Sequence, residues 1–156
     1  MEEPRHKTHA LVGDGITALA FLEAMSLTAG DELIIVGGRA AEFGRGVAYA
    51  QGGADKPWRF AYLLNSPADD IDPSFAKWLS DHWRDVRGKM EGRQPNWLDA
   101  AKPLLEVGDT YGLNAPREFY GDYMREIAEA KFAELRAAGV KITLHEAYAL
   151  SVDATE

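Results

Sequence analysis

The sequence predicts an α/β fold built on a parallel sheet, and three features carry that reading. A short apolar segment at 8–12 runs into a glycine-rich turn, residues 16–28 carry apolar side chains at helical spacing, and Leu33-Ile34-Ile35-Val36 is an unbroken apolar run. Strand, tight turn, helix and strand follow one another within about 30 residues, the size of a βαβ unit. At 156 residues the chain is long enough to bury a sizeable core as one domain.

Each element has its own warrant. Thr8-His9-Ala10-Leu11-Val12 reads as a short strand that Gly13 ends. Leu19, Leu22 and Met25 fall on one helical face, and Gly30 and Asp31 stop that helix. The run Leu33–Val36 is typical of a strand buried on both faces, and Gly37 and Gly38 close it. Residues 39–115 read as a loop-rich insert that holds all four tryptophans, Trp58, Trp78, Trp83 and Trp97, with short helices at 73–86 and 96–106. A long helix follows over 116–138. Pro116 suits its first turn, Tyr120, Met124, Ile127, Ala128, Phe132 and Leu135 form its apolar stripe, and Gly139 is placed to cap it. Val140–Leu144 alternates as a third strand, and Tyr148, Leu150 and Val152 suggest a fourth. The expected organisation is a single domain over 1–156, with the βαβ unit at 8–38, the insert at 39–115, and helix and strands at 116–152. The parallel strands are expected in the order 3-2-1, joined by right-handed crossovers.

Composition narrows the function. Asp and Glu number 25 against 17 Lys and Arg, a net charge of −8, so a nucleic-acid-binding footprint is not expected. There is no cysteine, which excludes disulfides, thiolate metal sites and a Cys nucleophile and suits a cytoplasmic location. No apolar run approaches the roughly 20 residues that span a bilayer, so no membrane association is expected. The start, MEEPRHKTH, lacks the apolar stretch of a signal peptide.

The strongest chemical signal is Gly13-Asp14-Gly15-Ile16-Thr17-Ala18, which fits G-x-G-x-x-G/A. Gly13 permits the tight turn, Gly15 lets a pyrophosphate approach the backbone, and Ala18 lets the helix lie close to the sheet. The helix start offers free N–H groups and partial positive charge to phosphate. Gly13, Gly15, Ile16 and Ala18 are therefore cofactor-binding candidates. Asp14 places a fixed negative charge in the turn. Dinucleotide sites carry an acidic residue at the end of the second strand, about 20 residues on, to hold the ribose; here that place is Gly37. Arg39 is the nearest base and would suit a 2′-phosphate, as in NADP; otherwise ribose recognition is weakened. Restoring the carboxylate with Gly37→Glu is then expected to tighten FAD binding by about tenfold, at roughly 1.5–3 kcal/mol per charged hydrogen bond.

The other polar residues point to structure. His6, His9, His82 and His145 are scattered without metal-ligand spacing, and no metal is expected. Asp69, Asp70 and Asp72 read as helix N-capping ahead of Pro73 rather than a cation site. Ser66 and Ser80 lack a G-x-S-x-G context. The tryptophans and Tyr62, Tyr111, Phe119 and Tyr120 suit a core or an interface, or stacking on a flavin or substrate. Arg117 opens the long helix, where it can reach a phosphate or pair with Asp122. Glu126, Glu129, Lys131 and Glu134 read as a solvated helix face. No catalytic set is legible.

Four further segments carry a resemblance: Phe43-Gly44-Arg45-Gly46-Val47-Ala48-Tyr49, Leu63-Leu64-Asn65-Ser66-Pro67-Ala68, Phe75-Ala76-Lys77-Trp78-Leu79, and Pro116-Arg117-Glu118-Phe119-Tyr120-Gly121-Asp122-Tyr123-Met124. With the glycine turn, and in this order over 8–152, they resemble the FAD/NAD(P)-binding flavoproteins related to class B flavin monooxygenases and N-hydroxylases. The resemblance implies a Rossmann-like FAD-binding domain in which Gly13, Gly15 and Ala18 contact the pyrophosphate and Gly44, Arg45 and Gly46 line the approach to the flavin. Gly37 stands where the family has its ribose-binding Glu. Family members continue into a meander and an NAD(P)-binding domain, so this chain is expected to be the first part of such a flavoprotein, incomplete relative to the family, with NAD(P)H bound by a missing segment or a partner. The implied chemistry is hydride transfer from NAD(P)H to flavin and on to oxygen or another acceptor. A second subunit in a hetero-oligomer is the expected partner, burying well over ~2,000 Å². The alternatives are a degenerate Rossmann module that has lost its cofactor and serves as a structural or activating subunit, and a stand-alone NADP module using Arg39.

Overall fold

A computed structural model of the chain describes residues 6–50, 62–93 and 95–153. Its spine is β2 (Glu32–Gly37), which lies between β1 (Thr8–Val12) and β3 (Lys141–Glu146). Both pairings are parallel, with Thr8 to Val12 opposite Glu32 to Val36 and Glu32 to Gly37 opposite Lys141 to Glu146. This is the expected 3-2-1 order, and it gathers the carboxyl ends of the three strands at one end of the sheet. Leu33 and Ile35 are fully buried, whereas Ile34 and Val36 on the other face are only half-buried. The apolar run suggested cover on both faces; a sheet of three strands receives it in full on one.

The described chain divides into two compact units, one of Met1–Ala48 and Met124–Glu156, the other of Tyr49–Tyr123. The first contains the sheet and α1 (Ile16–Ala24). α1 is shorter than the 16–28 expected, because Asp31 claims the residues that follow it. The Asp31 carboxylate accepts the Lys7 N–H at 2.8 Å, the Thr28 N–H at 2.9 Å and the Thr28 hydroxyl at 3.0 Å. Its backbone carbonyl accepts the Lys141 N–H at 3.0 Å. One buried residue therefore ties together the amino ends of all three strands, and the chain at Thr28 folds back to it instead of continuing the helix.

The long helix, α6 (Arg117–Ala137), ends as its sequence requires. Gly139 takes φ +88°, its N–H reaches the Arg136 carbonyl at 3.0 Å, and the Val140 N–H reaches the Leu135 carbonyl at 2.9 Å. That is a Schellman closure, sealed by burial of Leu135 and Val140. The fourth strand does not form. Ala147 donates to the Gly37 carbonyl at 3.1 Å, and there β2 ends, so the chain beyond has no strand edge to pair with. Tyr148, Leu150 and Val152 are exposed, Leu150 at 97%. Alternation alone makes a strand only where a neighbour supplies the ladder.

Among the described residues the second unit is largely helical, with helices where 73–86 and 96–106 are expected to form them and one more ahead of them. It contains α2 (Ala68–Ile71), α3 (Pro73–Asp81), α4 (Trp83–Met90), α5 (Pro95–Glu106) and the first seven residues of α6. The helix expected at 73–86 breaks at His82, whose backbone (φ −102°, ψ 11°) leaves helical geometry. Asp72 caps α3, accepting the Ser74 N–H at 2.8 Å, and also accepts the Tyr123 hydroxyl at 3.0 Å. Burial and that carboxylate push the Tyr123 hydroxyl up to about 12. Phe75 is fully buried and meets the Tyr120 ring edge-on at 5.0 Å. Trp97 is buried with its indole N–H on the Asn114 carbonyl at 3.1 Å, whereas Trp78 and Trp83 are half-buried; Trp58 lies outside the described residues. Among the described residues, no helix is long and apolar enough to cross a membrane.

The Asp31 linchpin predicts an acid-sensitive fold. Backbone N–H donors from Lys7 and Thr28 lower its carboxyl from 3.8 to about 2. A pKa depressed by folding adds stability that is complete above about pH 4 and is lost as pH falls through about 2. Urea midpoints measured on descending from about pH 5 should therefore fall, and Asp31→Asn, already without the charge, should show a flatter pH dependence. Parallel curves for the two proteins would show that Asp31 does not carry this effect.

Candidate functional site

The carboxyl end of the sheet is shaped by two glycine-bearing loops of the first unit. The turn between β1 and α1 is tied to β2 by the Gly13 N–H, which donates to the Val36 carbonyl at 2.8 Å. Gly15 is the N-cap of α1. No side chain caps the helix there and its first turn carries no acidic residue. The first helical hydrogen bond runs from the Leu19 N–H to the Gly15 carbonyl at 3.1 Å. The N–H groups of Ile16, Thr17 and Ala18 precede it and have no partner within the helix. Ala18 is buried, and a Cβ on Gly13 would meet its methyl at 3.7 Å, an ordinary contact. The smallness of Ala18 is thus what lets the helix start this close to the strand.

The second loop follows β2 through a 3-10 turn at Ala40–Glu42. Phe43 anchors it, fully buried with its ring 5.3 Å from that of Phe132. The Gly44 N–H donates to the Asp14 carbonyl at 2.9 Å, joining the two loops. Gly44 has φ +101°, and a Cβ there would fall 2.8 Å from the Met124 carbonyl oxygen on α6. Gly46 approaches the turn still more closely, since a Cβ on it would lie 2.9 Å from the Gly15 Cα. Arg45, between them, is half-buried, with its N–H on the Glu42 carbonyl at 3.2 Å. The seven-residue Phe43–Tyr49 motif therefore packs its Gly-Arg-Gly portion directly on the glycine turn.

Asp14 is not turned along the helix axis. Its carboxylate leans over the end of β2 and accepts the Arg39 N–H at 2.6 Å. A Cβ on Gly37 would fall 2.7 Å from both the Cβ and Oδ2 of Asp14. This corrects the expectation that a Glu at position 37 simply restores a missing contact, because Asp14 already fills that space. The Arg39 guanidinium lies 3.4 Å from Glu42, in an exposed pair of the kind that is worth little.

Of the sequence-predicted site residues, Gly13, Gly15, Ile16, Ala18, Arg39, Gly44, Arg45 and Gly46 all belong to the first unit and its two loops. Arg117 belongs to the second unit. There its Nε donates to the Leu63 carbonyl at 2.9 Å and its guanidinium reaches the Asn65 side chain at 3.2 Å. It does not pair with Asp122, which holds Lys89 at 2.8 Å. Arg117 thus ties the Leu-Leu-Asn segment to the start of α6. Among the described residues, no group of His, Asp and Glu is arranged to hold a metal ion. Sequence reasoning noted the charge of Asp14 but not that its side chain fills the space beside Gly37; no signal in the spacing of the two residues announces that contact.

These features fit the pyrophosphate of a dinucleotide. The helix start is uncapped, the nearest atom to a Cβ on Gly15 is another glycine's Cα at 3.6 Å, and no carboxylate stands in the first turn. Gly15, Ile16, Thr17 and Ala18 would hold the phosphates by backbone N–H groups, with Gly46 forming the facing wall. A family model described as FAD-NAD(P)-binding matches residues 10–156. No curated protein and no solved structure matches the chain.

The contact between the loops predicts the effect of a single methyl group. Gly44→Ala combines a left-handed backbone with a clash against the Met124 carbonyl, so it should cost about 1–3 kcal/mol or more. Thermal or urea denaturation measures this. A variant as stable as the parent would mean that the loop is not seated as described.

Proposed function

The chain belongs to the FAD-NAD(P)-binding family, and we propose that it is the FAD-binding part of an NAD(P)H-dependent flavoprotein oxidoreductase of the monooxygenase type. The observation that carries this reading is the uncapped start of α1 with the Gly46 backbone packed against it. When bound, the flavin supplies the hydride and electron chemistry. The chain's own residues bind and position. Backbone N–H groups of the turn neutralise phosphate charge, and Gly44, Arg45 and Gly46 line the approach to the isoalloxazine. NAD(P)H would be bound by another segment or chain.

A second subunit is part of the proposal. Val12 at the end of β1 is 58% exposed and Phe21 on α1 is 66% exposed. β1 is an edge strand of the three. Apolar side chains beside an open strand edge suit coverage by a partner in a hetero-oligomer. The lack of cysteine suits the cytoplasm. One observation favours a second reading, a module without cofactor that acts as a structural or activating subunit: position 37 carries no ribose carboxylate.

Reconstitution decides between them. Protein incubated with FAD and desalted should keep the flavin absorbance, and calorimetry should show saturable binding. Light scattering after size exclusion should show a hetero-oligomer with the neighbouring gene product. A colourless protein that binds neither FAD nor ADP would sink the cofactor reading and leave the structural one.

A further inference from the structure

We infer that Asp14 supplies the carboxylate that recognises the adenosine ribose, delivered from the glycine turn instead of from the end of β2. The inference rests on the reading of the chain as a dinucleotide-binding domain and names the residue that selects among dinucleotides.

Three observations carry it. First, the Asp14 carboxylate stands at the carboxyl end of β2, close enough to Gly37 that a Cβ there would lie 2.7 Å from its Cβ and 2.9 Å from its Cγ. The end of the second strand is where dinucleotide folds present an acid to the ribose hydroxyls. Second, Gly37 has no conformational need to be glycine. It sits in regular pairing opposite Glu146 and is not among the positive-φ glycines. What its missing side chain provides is room for Asp14. The two positions share one space: the acid stands on the turn, and the strand carries no side chain that would exclude it.

Third, the carboxylate is held but not used up. Oδ2 is fixed by the Arg39 N–H at 2.6 Å, while Oδ1 has no hydrogen-bond partner among the described residues. No ion pair involving Asp14 occurs among them, and the Arg39 guanidinium is directed to Glu42 instead. The group is therefore a pre-oriented anionic acceptor with lone pairs to spare, suited to two vicinal hydroxyls. The same charge repels a 2′-phosphate. The site so built favours FAD or NAD over NADP, and Arg39 is not the residue that reads the ribose.

The test uses ADP, the half that FAD and NAD share, together with 2′-deoxy-ADP, and AMP together with adenosine 2′,5′-bisphosphate, titrated calorimetrically. The unmodified chain should bind ADP about tenfold or more tightly than 2′-deoxy-ADP, as expected for loss of a charged hydrogen bond, and AMP more tightly than the bisphosphate, whose 2′-phosphate the carboxylate repels. Asp14→Asn keeps an acceptor for the Arg39 N–H and removes the charge; it should lose most of the preference over 2′-deoxy-ADP and tolerate the bisphosphate. Gly37→Glu alone should bind ADP more weakly, since its Cβ collides with Asp14. Asp14→Gly combined with Gly37→Glu returns the acid to the strand and should recover the preference. Equal binding of ADP and 2′-deoxy-ADP by the unmodified chain, undiminished preference in Asp14→Asn, or tighter ADP binding by Gly37→Glu would each overturn the inference while leaving the dinucleotide reading intact. Binding of no adenine nucleotide at all would overturn both.

Discussion

Two backbones at the carboxyl end of the sheet lie closer together than side chains would permit, and the site depends on that approach. Gly46 lies on Gly15, and Gly44 lies on the carbonyl of Met124. A hydrogen bond from the Gly44 N–H to the Asp14 carbonyl locks the two loops in register. The consequence is a helix start that is walled by bare backbone and capped by nothing. An anion reaching it meets N–H groups and partial positive charge rather than methyl groups or carboxylates. The same packing excludes a side chain at Gly46, so the wall stays thin.

The two ends of the sheet use a carboxylate differently. At the amino end Asp31 is buried and spent entirely on the chain itself, taking the Lys7 and Thr28 N–H groups and the Thr28 hydroxyl. Together with its backbone carbonyl on the Lys141 N–H, it ties the amino ends of the three strands and is buried away from any ligand. At the carboxyl end Asp14 is only half-buried, and its carboxylate accepts a single backbone N–H among the described residues. Residue type does not separate these roles. Satisfaction does: a buried carboxylate with three donors from the chain is structural, and one held by a single donor keeps acceptor capacity.

Much of the first unit was legible because its signals are local. A glycine turn after an apolar strand, a capped apolar helix and Gly139 after Leu135 each depend on neighbours within a few residues. Where reading failed, the deciding contact was distant in sequence. α1 stops early because Asp31 takes Thr28. The segment at 148–152 forms no strand because β2 ends at Gly37. Arg117 reads as a phosphate ligand from its place at a helix start, yet its guanidinium is taken by Leu63 and Asn65, more than 50 residues back. In the insert the helices at 73–86 and 96–106 were legible from local pattern, but the break at His82 and the run on to Met90, which is buried, were not.

The sequence by itself determined the parallel α/β core, the strand order and the glycine turn, because periodicity, caps and turns are written in adjacent residues. It also located the missing acid at position 37. Only the tertiary structure showed what occupies the space at that position. Residues 14 and 37 are 23 apart along the chain, and nothing between them signals that they meet. Parallel pairing of β1 with β2 brings them to one end of the sheet. There one side chain fills the space that the other lacks, because packing is settled by volume in three dimensions and not by spacing in one.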